Sequence, residues 1–187
     1  MRNIISLCAF ILSISCIAQN NSSSSNNIKD SNTGWHYSQN IDAMTSDTDY
    51  FAWIHPDNDI TLMYPEQKNA TVLFEVINDG GASAVILQIS EGEFLLDNSK
   101  KCSVRMRFDQ GKPVVYNFSP PNDGRTNLVT VENDTANLIT DQLKKIKSLK
   151  MEFTIKMNGG YTLAFNTSGL RWNHVGLTRK QLKGRHK

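Results

Sequence analysis

Cysteine, histidine and catalytic motifs are all scarce in this sequence. It has 3 cysteines and 4 histidines in 187 residues. Cys8, and on one reading Cys16, leave with an N-terminal segment, so Cys102 stands alone in the folded part and no intramolecular disulfide forms there. No Cys/His spacing suits zinc or another metal. There is no Gly-rich phosphate loop, no His-Glu-x-x-His and no G-x-S-x-G; Gly81-Ala82-Ser83-Ala84-Val85 fails the last pattern at its final position. No cofactor is implied. The formal charge of +2 becomes +1 once residues 1–18, which carry only Arg2, are removed. So near-neutral a balance excludes a dedicated nucleic-acid binder. No internal repeat is visible.

What is present begins with an export signal. Arg2 precedes the mostly apolar run Ile4–Ala18. That run is shorter than the roughly 20 residues of a comfortable bilayer span and fits a signal-peptide core. Two processing routes compete. Cleavage after Ala18, with Cys16 at the minus-three position, releases a soluble protein beginning at Gln19. Alternatively Cys16, preceded by Ser13-Ile14-Ser15, carries a lipid and attaches the chain to the membrane. Both place the protein outside the cytoplasm, in the periplasm, secreted, or anchored as a lipoprotein. Residues 19–33, QNNSSSSNNIKDSNT, hold no apolar pattern and read as a flexible polar tether.

Residues 34–172 are expected to form one domain. Its clearest element is Cys102–Phe108. Cys102, Val104, Met106 and Phe108 alternate with Ser103, Arg105, Arg107 and Asp109. A period of two describes a half-buried antiparallel strand and makes Cys102 an inert core thiol. Asp109-Gln110-Gly111 supplies a turn, with Gly111 free to take positive φ. Residues 71–78 and 83–90 form a central pair joined at Asp79-Gly80-Gly81. Met151, Phe153, Ile155 and Met157 run to a third turn at Asn158-Gly159-Gly160. Further strands are read at 35–38, 50–54, 60–64, 114–118 and 127–131.

One helix is expected, capped at Asn133, Asp134 or Thr135, with Leu138, Ile139, Leu143, Ile146 and Leu149 at helical spacing. Lys144, Lys145 and Lys147 gather at its end, where cations suit the helix dipole. The fold class is mostly β, an antiparallel β-sandwich of roughly nine or ten strands with one covering α-helix. Residues 173–187 form a solvated basic tail. The stretch 171–187 contains no Asp or Glu, and the alternative reading is contact with an anionic membrane surface.

Candidate chemistry is thin. His55 lies in a turn near Asp57 and Asp59, an arrangement open to acid/base work but common in solvated turns. Asp42, Asp47 and Asp49 could gather oxygen ligands but read rather as turn-forming acids. Arg105 and Arg107 share a strand face one pleat apart and suit carboxylate or phosphate recognition. With Asp109 they form the candidate partner-contact set, against the plainer reading of Arg paired with Asp109 or Glu152.

Several pieces in order resemble a known family: Trp35-x-Tyr37, Asp42-x-Met44-Thr45, Ala52, the Pro65 turn, Val104-Arg-Met-Arg-Phe-Asp109, a helix from Leu138 to Lys150, and Gly169-Leu-Arg-Trp172. This is similar to the VasI/TagO-like exported proteins associated with type VI secretion. The resemblance spans about residues 35–172 and rests on short, non-catalytic motifs. It implies a periplasmic or envelope accessory protein whose partner is an envelope or secretion-system protein. Members of that family often carry another cysteine shortly before the position of Cys102; Phe94-Leu-Leu-Asp97 holds none here. The expected function is an exported, non-enzymatic protein that binds a protein or envelope component. The alternatives are an inhibitor or immunity-like protein of an envelope hydrolase, and a hydrolase using His55 and nearby acids.

Overall fold

The computed structural model describes residues 28–29, 33–44, 47–79 and 81–174. The signal segment 1–18 with Cys16, most of the span read as a tether, and residues 175–187 lie outside the described residues.

Alternation of apolar and polar residues produces the strands, and turn chemistry separates them. In chain order they are β1 (Ile28–Lys29), β2 (His36–Ile41), β3 (Thr48–Ile54), β4 (Ile60–Leu62), β5 (Lys68–Ala70), β6 (Val72–Asp79), β7 (Ala82–Ile89), β8 (Cys102–Phe108), β9 (Val114–Phe118) and β10 (Leu128–Glu132). The helix α1 (Asn133–Leu143) follows, then β11 (Ser148–Ile155) and β12 (Gly159–Asn166). A six-stranded sheet runs β1-β2-β3-β6-β7-β10, and a four-stranded sheet runs β12-β11-β8-β9. All pairings are antiparallel, and β4 and β5 form a separate ribbon. The two sheets meet at one corner, where Ser119 and Thr130 exchange N–H···O bonds of 2.8 Å in both directions. Among the described residues the fold is therefore mostly β, sandwich-like and antiparallel, with one helix.

The core lies between the sheets. Phe74 of β6 meets Phe165 of β12 at 5.8 Å between ring centroids, and Phe94 meets Phe153 edge-on at 5.3 Å. Each such fully buried ring contributes on the order of 1.5–3 kcal/mol from burial. Trp35 is also fully buried and donates its indole N–H to the Thr167 carbonyl at 3.1 Å, tying the start of β2 to the end of β12. Helix α1 buries Ala136, Ile139, Thr140 and Leu143, spaced for one helical face. Central placement of β6 and β7 explains their nearly continuous burial.

Several expectations change in detail. The helix ends at Leu143, Leu149 belongs to β11, and Leu138 faces solvent at 52% exposure. Thus the read helix from Leu138 to Lys150 is helical only as far as Leu143, and after a turn its last three residues, 148–150, open β11. Glu132 occupies the N-cap position without a side-chain cap bond. At the turn after β8 the positive φ falls on Asp109 (49°), not on Gly111. Gly111 is needed for close approach instead: a Cβ there would sit 2.9 Å from the Phe108 carbonyl oxygen. The third turn comes earlier than read, with Met157 at φ 64° and Gly159 and Gly160 already in β12. The two-residue strand β1 pairs with β2 inside the span read as a tether. His174, assigned to the tail, stacks on Tyr50 at 3.6 Å and meets Trp172 edge-on.

Candidate functional site

The outer face of the four-stranded sheet carries the arginines selected from the sequence. Strand alternation sends Cys102, Val104, Met106 and Phe108 inward and Arg105 and Arg107 outward. The two arginines have different neighbours. In register, Arg105 lies opposite Glu152 of β11 and pairs with its carboxylate. Arg107 lies opposite Lys150. Its Nε is buried without a hydrogen-bond partner. Directly opposed like charges cost a few tenths of a kcal/mol or more, up to about 1. The sheet therefore presents one compensated cation and, beside it, the Arg107–Lys150 pair without an acid among the described residues. Lys150 was not singled out in the sequence. It sits in β11, and only the register brings it beside Arg107.

Asp109 is engaged within the fold through Oδ1. Its Oδ1 accepts the backbone N–H groups of Lys147 at 3.0 Å and Ser148 at 2.9 Å, and the Ser148 hydroxyl at 3.2 Å. These bonds, led by the Ser148 amide, hold its carboxyl below the usual carboxylate range. Asp109 fastens the β8–β9 turn to the start of β11.

Cys102 is a free, buried thiol. Burial first, and the nearby Asp97 carboxylate second, push its pKa up to about 11. It has little thiolate character at neutral pH.

His55 donates its Nδ1–H to the Val72 carbonyl at 2.9 Å and meets the His36 ring edge-on at 6.4 Å. The Asp57 N–H donates to the Ala164 carbonyl at 2.7 Å, and Asp42 Oδ1 accepts the Met44 N–H at 2.7 Å. Among the described residues no three His, Cys, Asp or Glu side chains gather as a metal-holding group.

Two further surfaces escaped sequence reasoning. A cleft of about 480 Å³ opens where β9 and β10 diverge, lined by Lys101, Asn117 and Ser119 on one side and Glu132, Asn133 and Asp134 on the other. Lys101 donates to the Ser119 hydroxyl across 2.5 Å. At another end of the molecule Met63, Tyr64 and Met157 are 69%, 53% and 69% exposed. Asn158 holds this tip together: its Oδ1 accepts both the Met63 and Tyr64 N–H groups, and its Nδ2 donates to the Tyr64 carbonyl. The signal available in sequence was Asn158 beside two glycines, which read only as a turn.

Glu75 is a third feature without a sequence signal. It lies in β6, in register between Trp53 and Ile86, on the face that also holds the small cluster Ile77, Ala84, Ile86 and Leu128. It is 2% exposed, its Oε1 has no partner, and burial raises its pKa to about 8.

No family model, no curated protein and no solved structure matches this chain.

Proposed function

We propose that this is an exported, non-enzymatic envelope protein that binds a protein or cell-envelope component, and that it serves as a type VI secretion accessory. The observation that carries the binding reading is the Arg107–Lys150 pair on the outer face of the four-stranded sheet. An uncompensated pair of cations on a rigid sheet is a seat for an anionic group, a carboxylate or phosphate of the partner. The export signal and the family resemblance supply the envelope setting and the secretion role. The non-enzymatic reading is supported by His55, which is engaged with a backbone carbonyl.

Capture from envelope extract tests it. The double variant R107A/K150A is expected to lose partner capture while keeping its far-UV spectrum. Capture that persists unchanged in the folded variant removes this face from consideration. R105A is the internal control, because Arg105 is already neutralised by Glu152 and its loss is expected to matter less.

The Met63–Tyr64–Met157 tip favours a second reading, an inhibitor of an envelope hydrolase that inserts this rigid apolar end. Rates of a panel of envelope hydrolases that stay constant under excess protein rule that reading out.

A further inference from the structure

The four-stranded sheet has two edges, and they are treated differently. The β12 edge is covered. Asn58 Oδ1 accepts the Ala164 N–H at 2.8 Å, Asn58 Nδ2 donates to the Thr162 carbonyl at 3.2 Å, and the Asp57 N–H donates to the Ala164 carbonyl at 2.7 Å. A loop asparagine thus takes the place of a neighbouring strand.

The β9 edge is open. Ser119, just after β9, turns both its N–H and its C=O toward Thr130 of β10. Backbone groups alternate sides along a strand, so Asn117 and Val115 turn theirs the same way. Continuing the antiparallel register would place Asn117 opposite Glu132 and Val115 opposite Asp134. Instead β10 ends at Glu132, and Asn133 at φ 53° starts the helix. The ladder is cut there, and the outward N–H and C=O groups of Val115 and Asn117 meet no strand among the described residues. The gap between β9 and the first turn of α1 is the cleft described above.

The usual devices that protect an edge are missing from the strand itself. Val-Val-Tyr-Asn-Phe has no charge and no proline, and Val114 and Val115 are 45% and 58% exposed. The chain's own ends leave from elsewhere. Ile28–Lys29 lies at the opposite end of the six-stranded sheet from β10, and His174 is stacked on Tyr50 of β3. The space beside β9 is a slot walled by a helix end, which fits one extended chain better than the edge of a second sandwich.

We infer that β9 is a docking edge for an extended segment of a separate polypeptide, which adds to the four-stranded sheet as a fifth strand and enters the cleft beside α1. The backbone groups of Val115 and Asn117 supply the affinity, as in β-strand addition generally. Residues entering the cleft meet Lys101 on one wall and Glu132 and Asp134 on the other, so the cleft sets the specificity. The inference rests on reading the protein as a binding module, but it uses a different surface from Arg107 and Lys150.

A phage-displayed library of short linear peptides, selected against the full chain, provides the probe. The decisive variant is Val115→Pro, which removes an outward N–H and leaves the β8 ladder untouched. Selected peptides are expected to lose at least about tenfold in affinity toward V115P. On the wild-type protein they are expected to slow hydrogen exchange at the Val115 and Asn117 amides, a readout that stands even if V115P folds poorly. Failure to select any binder overturns the inference, as do binders that leave both amides exchanging freely. A wild-type dimer in sedimentation that V115P converts to monomer also overturns it, in favour of a second copy at this edge. Any of these failures leaves envelope capture through Arg107 and Lys150 as a separate result.

Discussion

The Asn158 carboxamide holds Tyr64 from both sides, accepting its N–H at 2.9 Å and donating to its carbonyl at 3.0 Å. A side chain 94 residues away thus copies the two-bond exchange of an antiparallel residue pair. The Met63 N–H adds a third bond at 2.8 Å. This one side chain ties the exposed apolar tip to the β11–β12 turn.

Asn158→Ala removes these three bonds and the Nδ2 bond to the Lys156 carbonyl, and is expected to cost about 1–3 kcal/mol, the sum of a few exposed hydrogen bonds. Asn158→Asp keeps the acceptor and loses the donor, so its cost is expected to be smaller. Urea midpoints measure both. Limited proteolysis near residues 62–66 should accelerate in the alanine variant first; equal stability of all three proteins would show that the clamp contributes nothing.

Met157 carries the strain of this turn at φ 64°. Met157→Gly is expected to relieve it by about 0.5–1 kcal/mol, less the added entropy of the unfolded chain. A thermal midpoint that falls instead would place the stabilising role on the Met157 side chain. If the tip is the inhibitory surface, the same variant weakens inhibition while raising stability.

Glu75 and Asp109 predict opposite pH dependences. Burial raises the Glu75 carboxyl to about 8, above its ordinary value of 4.5. The folded state therefore holds a proton that the unfolded state gives up. Stability from this group is full below about 4.5 and is lost as pH rises toward 8. A shift of that size corresponds to several kcal/mol at about 1.4 per pH unit. Glu75→Gln is expected to flatten the decline in urea midpoint across this window; an unchanged slope would show that another group causes it.

Asp109 works the other way. The amides of Ser148 and Lys147 favour its ionised form. Its contribution is present above its unfolded pKa and is lost as pH falls through its lowered folded pKa. Asp109→Asn is expected to lower stability at neutral pH and to shrink the acid-side loss. Partner capture at neutral pH should stay intact in the folded variant, since this carboxylate serves the turn.

Cys102 should not react with a thiol reagent in the folded protein at pH 8, because burial holds it as a thiol up to about 11. Reaction is expected to become complete in denaturant. Prompt labelling of the native protein would mean that β8 opens readily from β9.

The β8 pattern was legible because alternation is local: every second side chain of a strand faces one way whatever pairs with it. For the same reason the inward cysteine and the outward arginines could be read directly. The turn residues were only partly legible, since glycine allows positive φ without requiring it, and here Asp109 and Met157 take that conformation. Helix α1 begins at Asn133, one of the residues read as its cap, but its N-cap is Glu132, and it stops early, because Leu149 packs in β11.

By itself the sequence determined strand faces, the single core thiol and the mostly β class, all of which follow from short-range periodicity. Register was decided by the tertiary structure alone. Pairing β8 with β11 gave Arg105 an acid and Arg107 a lysine, although the two arginines are equivalent in sequence pattern. The same kind of long-range placement set Asn58 on the β12 edge and turned β10 away from β9, so among the described residues one edge is closed and the other open. Contacts between residues so far apart in the chain depend on the packing of whole sheets, and no local pattern encodes them.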